Sequence, residues 1–588
     1  MLTRRARRRG RRSGRTPVLV AAGAAVLVAG LVGGTALTAS AKPARLAPTA
    51  VAGAPAGAAT ATQPGAAGTT ATEQVGSPAA VPRAAGACWQ AFCANYPPAA
   101  IPAGGWHSAH VSYAANGRLR YATDPAGNRI PDFSYAGYRY GEADLPNVPV
   151  VATLTPVSGD NTRRIQDAVD RVGSRTPDKN GHRGALRLAP GTYEIRGTVR
   201  VRHSGVVLRG SGDGASPASA TILRARGNTP DKRTVVVLGT NSGNPWTTGS
   251  AVDITTRFVG VGSTSFEVAN AAAFKAGQEV VVRHPSSRRW LDAVGGGGVV
   301  KAPRWTEGSM DLRWVRRVTR IEGNRLHLDA PIYNHLDRSL TTSTVAPVTR
   351  RNLVSESGVE NLRVDIETAG GEDEKHAWNA IGVVGADNSW VQNVSTLHFG
   401  YAGVLTSGAI RITVRNARAT EPVAVRTGGN MYNFAANGFT QLVLFTGCHA
   451  GQGRHSFVSN GTTTVSGVVW HRCTMQGGDV EGHRRWSQGM LFDNIRETGT
   501  ANSQAKLINR GDFGSSHGWG SAHSVVWGFN REIVVQQPPT AQNYAVSPEG
   551  KRRAKPFFPG PWGSIEIRTG PLLPGSLYEA QVVDRLGR

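Results

Sequence analysis

The segment Ser158–Val172 reads SGDNTRRIQDAVDRV, and after a short loop Gly184–Val201 reads GALRLAPGTYEIRGTVRV. Asp160 or Asn161 can cap a helix whose apolar side chains Ile165, Ala168, Val169 and Val172 recur along one face. Leu186 and Leu188 then alternate with their neighbours as in a strand, Pro190-Gly191 supplies a turn, and a second strand follows. After this single amphipathic helix the sequence turns to strands. Helix-forming runs are few, and its 73 glycines with many short Val/Thr/Asn-rich segments favour β structure with frequent turns.

The strand pattern returns beyond residue 350 at countable intervals. VENLRV, VQNVST, VRNARA, LFTGCHA, VWHRCTM and LFDNIRE align on Asn361, Asn393, Asn416, Cys448, Cys473 and Asn494, with separations of 32, 23, 32, 25 and 21 residues. Those intervals suit one turn of a solenoid whose loops vary in length. Inward, stacked asparagines form a hydrogen-bonded ladder, and Cys448 and Cys473 are expected to fill the same position. A repeat architecture also explains how 588 residues need not divide into three or four ordinary domains.

The helix DNTRRIQDAV followed by APGTY resembles the N-terminal signature of the pectate-lyase-like superfamily. That resemblance implies an all-β fold, a right-handed parallel β-helix whose open end the helix caps. From Asp253 to Tyr333 the pattern changes to alternating strands with tight turns, such as TSFEVANAAAFKAGQEVVVRH, and predicts a small inserted β subdomain. Its Gly295–Gly298 run is expected to be a mobile loop. The expected organisation is an N-terminal cap with first coils over 87–252, the insert over 253–340, the main helix over 341–540 and a C-terminal cap over 541–588.

Residues 1–41 join eight arginines to an apolar run from Val18 to Ala39 and an Ala39-Ser40-Ala41 cleavage site. This is the pattern of a secretory signal, or of a membrane anchor if it stays uncleaved. Residues 42–86 are Ala, Pro, Thr, Gly and Val with few large apolar side chains, and read as a flexible spacer. The protein is therefore expected outside the cell, with no membrane contact after cleavage and as a monomer. Removing the eight arginines from the formal charge of +26 leaves +18, which suits an acidic partner such as a polyuronate or sulfated glycan. A solvated basic surface accounts for it equally well. Nucleic acid is not expected, because the basic residues are scattered and no binding module is present. Cys88 and Cys93 are close enough in sequence for a local disulfide, and no cysteine pair has zinc-ligand spacing.

The chemistry is expected between Arg454 and Trp527, where five histidines gather with arginines and acids. If the ladder is right, His455 and His483 emerge on the same arm of successive coils, and the loop Arg496–Ser524 folds over that face. The catalytic candidates are His455, His483, Arg484, Arg485, Asp512 and His517. Arg454, Arg510, Trp486 and Trp519 are the candidates for binding substrate, the arginines through carboxylates and the tryptophans by stacking on sugars. Elimination on a uronide needs a cation at the carboxylate, a base for the acidified proton and an acid for the leaving oxygen. Glycoside hydrolysis needs a pair of carboxyls, for which Asp479, Glu481, Asp493 and Asp512 are available. The histidine and arginine surplus favours a polysaccharide lyase. A hydrolase of the same fold is the first alternative and a non-catalytic glycan-binding surface protein the second.

GRHSFVSNGT, EGHRRWSQGMLFDN, HGWGSAHSVVW and IVVQQPPTAQNYAVS look like a secreted β-helix group described only as pectate-lyase-like. They match neither the aspartate cluster of calcium-dependent pectate lyases nor the Lys/Arg signature of alginate lyases. No metal ligand is assigned, and calcium is left open.

Overall fold

The computed structural model describes residues 105–125, 127–240, 245–301 and 304–587. The expected signal, spacer and Cys88–Cys93 disulfide lie outside these residues. The predicted helix spans Thr162–Gly173 and buries Ile165, Ala168, Val169 and Val172. Asn161 is its N-cap, but Asp160 takes the Thr162 amide at 2.9 Å. Both ends of the proposed pair are thus used, in different ways.

The remainder of the scaffold is a parallel β-helix. Gly184–Leu188 pairs in parallel with Val206–Arg209, and that register continues coil after coil to Ser564–Ile567. Alternate side chains point inward and form continuous columns. One runs Leu208, Val359, Val391, Val414, Phe445, Trp470, Phe492, Val526, Ala545. In its wider part Phe445 and Trp470 stack with ring centroids 5.6 Å apart, and Trp470 and Phe492 at 4.6 Å. Stacking identical strand positions therefore builds the core, and truncating Trp470 to alanine would cost about 3–5 kcal/mol.

The ladder differs from its expected form by one residue. Asn361, Asn393 and Asn416 have φ of 57°, 50° and 52°, and sit at a left-handed corner, not inside. Asn393 Nδ2 donates to Asn361 Oδ1 at 3.0 Å, and Asn416 Nδ2 to Asn393 Oδ1 at 3.3 Å. Pairing of Arg415 with Thr446, and of Thr446 with His471, puts Gly447 and Arg472 at the corner in the next two coils. Cys448 and Cys473 are the inward residues just after it, both buried and free. Asparagine tolerates the left-handed corner and its amide can pair along the axis, whereas cysteine serves as a small apolar filler.

The insert forms an antiparallel sheet between Trp246 and Arg351, wider than the expected 253–340. Strand Glu279–His284 pairs with Leu312–Glu322 on one side and Thr344–Arg351 on the other. Gly295–Gly298 is a tight turn rather than a free loop: the Gly297 carbonyl accepts from the Trp519 amide at 2.8 Å. At the C-terminus, helix Leu577–Leu586 is seated by Asp493, which accepts from Ser576 Oγ and the Tyr578 amide, both at 2.7 Å. Among the described residues no helix is long and apolar enough to cross a membrane.

Candidate active site

Four parallel strands carry the site: Tyr432–Ala436, His455–Ser459, Val480–Gly482 and Gln504–Leu507. Their register pairs Phe434 with Phe457, Phe457 with Val480 and Val480 with Ala505, an inward column of full burial. Alternation turns the neighbouring column outward, through Val458, Glu481 and Lys506. Tyr432 lies opposite His455 at the entrance of its strand.

Glu481 is fully buried at the centre. His455 Nδ1 is 2.9 Å from Glu481 Oε1, and His483 Nδ1 makes a short contact to the same oxygen. Arg510 Nη1 donates to both carboxylate oxygens at 2.8 and 2.9 Å. On the far side of the His483 ring, Tyr432 Oη is 3.2 Å from Nε2. Arg454 Nη2 donates to that phenol at 3.0 Å. His517 closes the group, its ring centroid 4.8 Å from that of His483.

Charge follows from this arrangement. Burial disfavours an ionised Glu481, but its contacts with His455, Arg510 and His483, of which Arg510 carries the permanent charge, outweigh it and hold the carboxyl well below its usual range. Burial keeps His483 neutral by pushing it well below 6.5, against the pull of Glu481, and it lowers His455 in the same way. His517 falls to about 3 through burial and then the charges of Arg510, Arg484 and Arg485. The Tyr432 phenol is pushed up to about 12 by burial and so stays protonated at neutral pH. An ionised Glu481 accepts, so the His483 proton is on Nδ1 and the Nε2 lone pair faces Tyr432. The result is a carboxylate–imidazole–phenol relay, in which the middle ring is oriented by the carboxylate behind it.

The structure brings together His455, His483, His517, Arg454 and Arg510 from the sequence candidates. Arg484 lies at the margin, donating to the Asn460 carbonyl at 3.3 Å, and Asn460 Nδ2 donates to Tyr401 Oη at 2.9 Å. Arg485 is tied to the Ser515 carbonyl and to Ser515 Oγ, which leaves it a loop fastener. Three expectations are corrected. Asp512 accepts from the Val300 and Lys301 amides at 3.0 and 2.8 Å, joining its loop to the insert instead of to the histidines. Trp486 is fully buried, with its indole N–H donating to Asn334 Oδ1 at 2.9 Å and its ring edge-on to Trp290. Trp519 is 4% exposed in the same core, so neither ring offers a face to a sugar.

Of the four carboxylates considered for hydrolysis, Asp493 is spent on the C-terminal helix and Asp512 on the insert. Asp479 is salt-bridged to Lys506 Nζ at 2.6 Å and takes the Gln504 amide at 3.0 Å. That leaves Glu481, which sequence reading placed among the acids but not among the site residues. Tyr432 was missed outright. Its signal was the register of MYNFAA above RHSFVS, which a count based on the asparagine corner does not expose.

His455, Glu481 and His483 lie close enough to share one ion. Two nitrogens and a carboxylate would suit zinc better than calcium, which takes six to eight oxygens. However, the Arg510 guanidinium already occupies the shared face, 3.0 Å from His483 Nδ1 and bonded to both Glu481 oxygens. A permanent cation there performs the charge neutralisation an ion would otherwise supply, and the group does not fit a metal.

No family model matches the chain, and no curated sequence is similar to it. Solved structures with a related course of chain include a tailspike protein from Pseudomonas phage LKA1, at 14% identity, 70% coverage of each chain and a TM-score of 0.40. A polygalacturonase from Erwinia carotovora ssp. carotovora is 12% identical over 73% of this chain and 98% of its own, with a TM-score of 0.31. PfbA, a surface adhesin of Streptococcus pneumoniae, is 9% identical over 69% and 81%, at 0.30.

Proposed function

We propose that the protein is an exported polysaccharide-degrading enzyme that cleaves an anionic, uronate-containing glycan by β-elimination. The observation that carries this reading is the relay Glu481–His483–Tyr432 with Arg454 on the phenol. In the reaction, Arg454 and the neighbouring Arg484 neutralise the substrate carboxylate and so acidify the adjacent C–H. His483 Nε2 takes that proton. The imidazolium formed is stabilised by the Glu481 carboxylate on its other nitrogen, which compensates for the low basicity that burial imposes. The electron pair left on carbon forms the double bond as the glycosidic C–O bond breaks. The Tyr432 phenol donates its proton to the leaving oxygen, and proton return from His483 restores it across their existing contact.

Tyr432 and His483 are 1% and 4% exposed beneath half-buried arginine side chains. Substrate entry therefore needs Arg454 and Arg484 to swing outward, which their long unbranched stems allow, and the substrate carboxylate is what draws them. The test is to incubate the protein with polygalacturonate, alginate and sulfated glycans while following the near-ultraviolet absorbance of an unsaturated uronide. Rising absorbance with new reducing ends supports elimination. Reducing ends without absorbance would overturn elimination and move the chemistry to a hydrolysis centred on Glu481.

A further inference from the structure

The outward column that carries Glu481 does not stop at the site. Glu481 pairs with Lys506, Lys506 pairs with Val534, and the next strand pairs Ile533 with Arg552, so Arg553 follows opposite Val534. Arg553 thus stands three coils from Glu481 on the same side of the solenoid, about 14 Å along its axis. Val534 itself is buried, so a ligand lying there would meet the loops over the sheet rather than the strand.

Those loops present aromatic rings. Phe513 is 47% exposed and Phe557 is 57% exposed, an uncommon state for phenylalanine. Their centroids are 5.9 Å apart, and Phe558 braces Phe513 at 5.3 Å. The Arg553 guanidinium sits 5.7 Å from the Phe557 ring centre. Among the described residues it pairs with Glu532 at 3.8 Å, a loose contact that leaves the side chain over a third exposed. Phe513 belongs to the same tight loop as the catalytic-side groups: its amide donates to the Arg510 carbonyl at 3.1 Å, and the His517 amide to the Phe513 carbonyl at 3.1 Å. One loop therefore turns Arg510 and His517 toward Glu481 and Phe513 toward Phe557.

We infer that Phe513, Phe557 and Arg553 form a distal subsite that holds the same anionic glycan several sugars away from the cleaved bond. This rests on the proposed substrate class. The phenyl faces stack on the apolar faces of the sugar rings while Arg553 meets a carboxylate or sulfate, a pairing of chemistries that a uronate chain offers and an uncharged glycan does not. Continuity with Arg510 through the shared loop, together with the exposed Lys551 and Lys555 alongside, argues for this occupant.

The experiment compares wild type, Phe513→Ala/Phe557→Ala and Arg553→Gln on long polyuronate and on short oligomers, with affinity electrophoresis in polygalacturonate and in alginate. Both phenylalanines are exposed enough for truncation to leave the fold unchanged, which thermal melting checks. The expected result is a KM on polymer raised about tenfold, an unchanged kcat, unchanged kinetics on the shortest oligomers, and weaker retention in the gel. A double phenylalanine variant with wild-type KM and retention overturns the inference, as does a wild type that neither gel retards. Equal loss of binding to single-stranded DNA in the same variants would replace it with a general polyanion surface. His483→Ala separates the two readings: if it keeps turnover while the phenylalanine variants lose affinity, the relay fails and the subsite stands. If wild type binds but cleaves nothing, the gel alone decides the subsite.

Discussion

Two groups of buried histidines occupy this molecule, and they differ in what surrounds them. His455, His483 and His517 share a buried carboxylate, a phenol and a rim of arginines. His284, His335 and His523 lie between the insert and the solenoid, where His335 meets His523 edge-on at 5.8 Å and stacks on Phe258 at 5.5 Å. His284 packs against Trp290 at 5.7 Å. Neither ring nitrogen of His523 has a hydrogen-bond partner among the described residues. Both groups are kept neutral by burial, but among the described residues it is the first whose ring nitrogens directly contact a buried carboxylate, Glu481, able to stabilise an imidazolium. Thus the neighbouring carboxylate, rather than the number of histidines, separates a proton relay from packing.

The sharpest way to break this contrast is to delete one ring from each group. His483→Ala is expected to lower kcat by about a thousandfold, while His523→Phe leaves it within about twofold; equal effects would erase the distinction. Tyr432→Phe is expected to cost about a hundredfold in kcat with KM little changed, since the phenol acts on the leaving group. Glu481→Gln tests the charge beneath the first group. Leaving the Arg510 guanidinium without its carboxylate should cost about 3 kcal/mol in urea unfolding in addition to activity, and a stability equal to wild type would mean that the pair is not buried in solution.

Acid should act on both groups, and His284 reports on the packing group alone. His284 is lowered to about 3 by burial, against 6.5 in the unfolded chain. Below pH 6.5 the unfolded state binds a proton that the folded state refuses, so the stability present at neutral pH is lost as pH falls toward 3. That loss amounts to about 1.4 kcal/mol per pH unit for this group. Denaturant titrations from pH 7 to 5 measure it, and His284→Phe should flatten the slope. The smallest effect is expected from Asp512→Asn, which keeps an acceptor for the Val300 and Lys301 amides and should change kcat by less than about twofold.

The capping helix was legible because its four apolar residues obey one period and meet one surface. The coils were legible in number but not in phase. Asn361 and Asn393 mark a backbone corner, whereas Cys448 and Cys473 mark the interior beside it, and spacing alone cannot separate positions one residue apart. Trp486 and Trp519 show the converse limit. An aromatic between glycines and arginines has the composition of a sugar platform, and only the insert packed over it makes it core. His471 was part of the histidine count yet serves the C-terminal helix, donating to Glu579 Oε1 at 2.9 Å.

By itself the sequence determined a solenoid of parallel coils, its capping helix, the presence of an insert and the region in which protonatable groups concentrate. These are consequences of short-range periodicity and of residue types that recur at similar intervals. The tertiary structure alone decided that Tyr432, His455, Glu481 and Arg510 meet, and that Asp512, Trp486 and Trp519 do not join them. Parallel stacking places residues 23 to 25 positions apart side by side along the axis, and loops of unequal length set which of them coincide. That registration depends on the packing of the inward columns, and no local pattern in the chain encodes it.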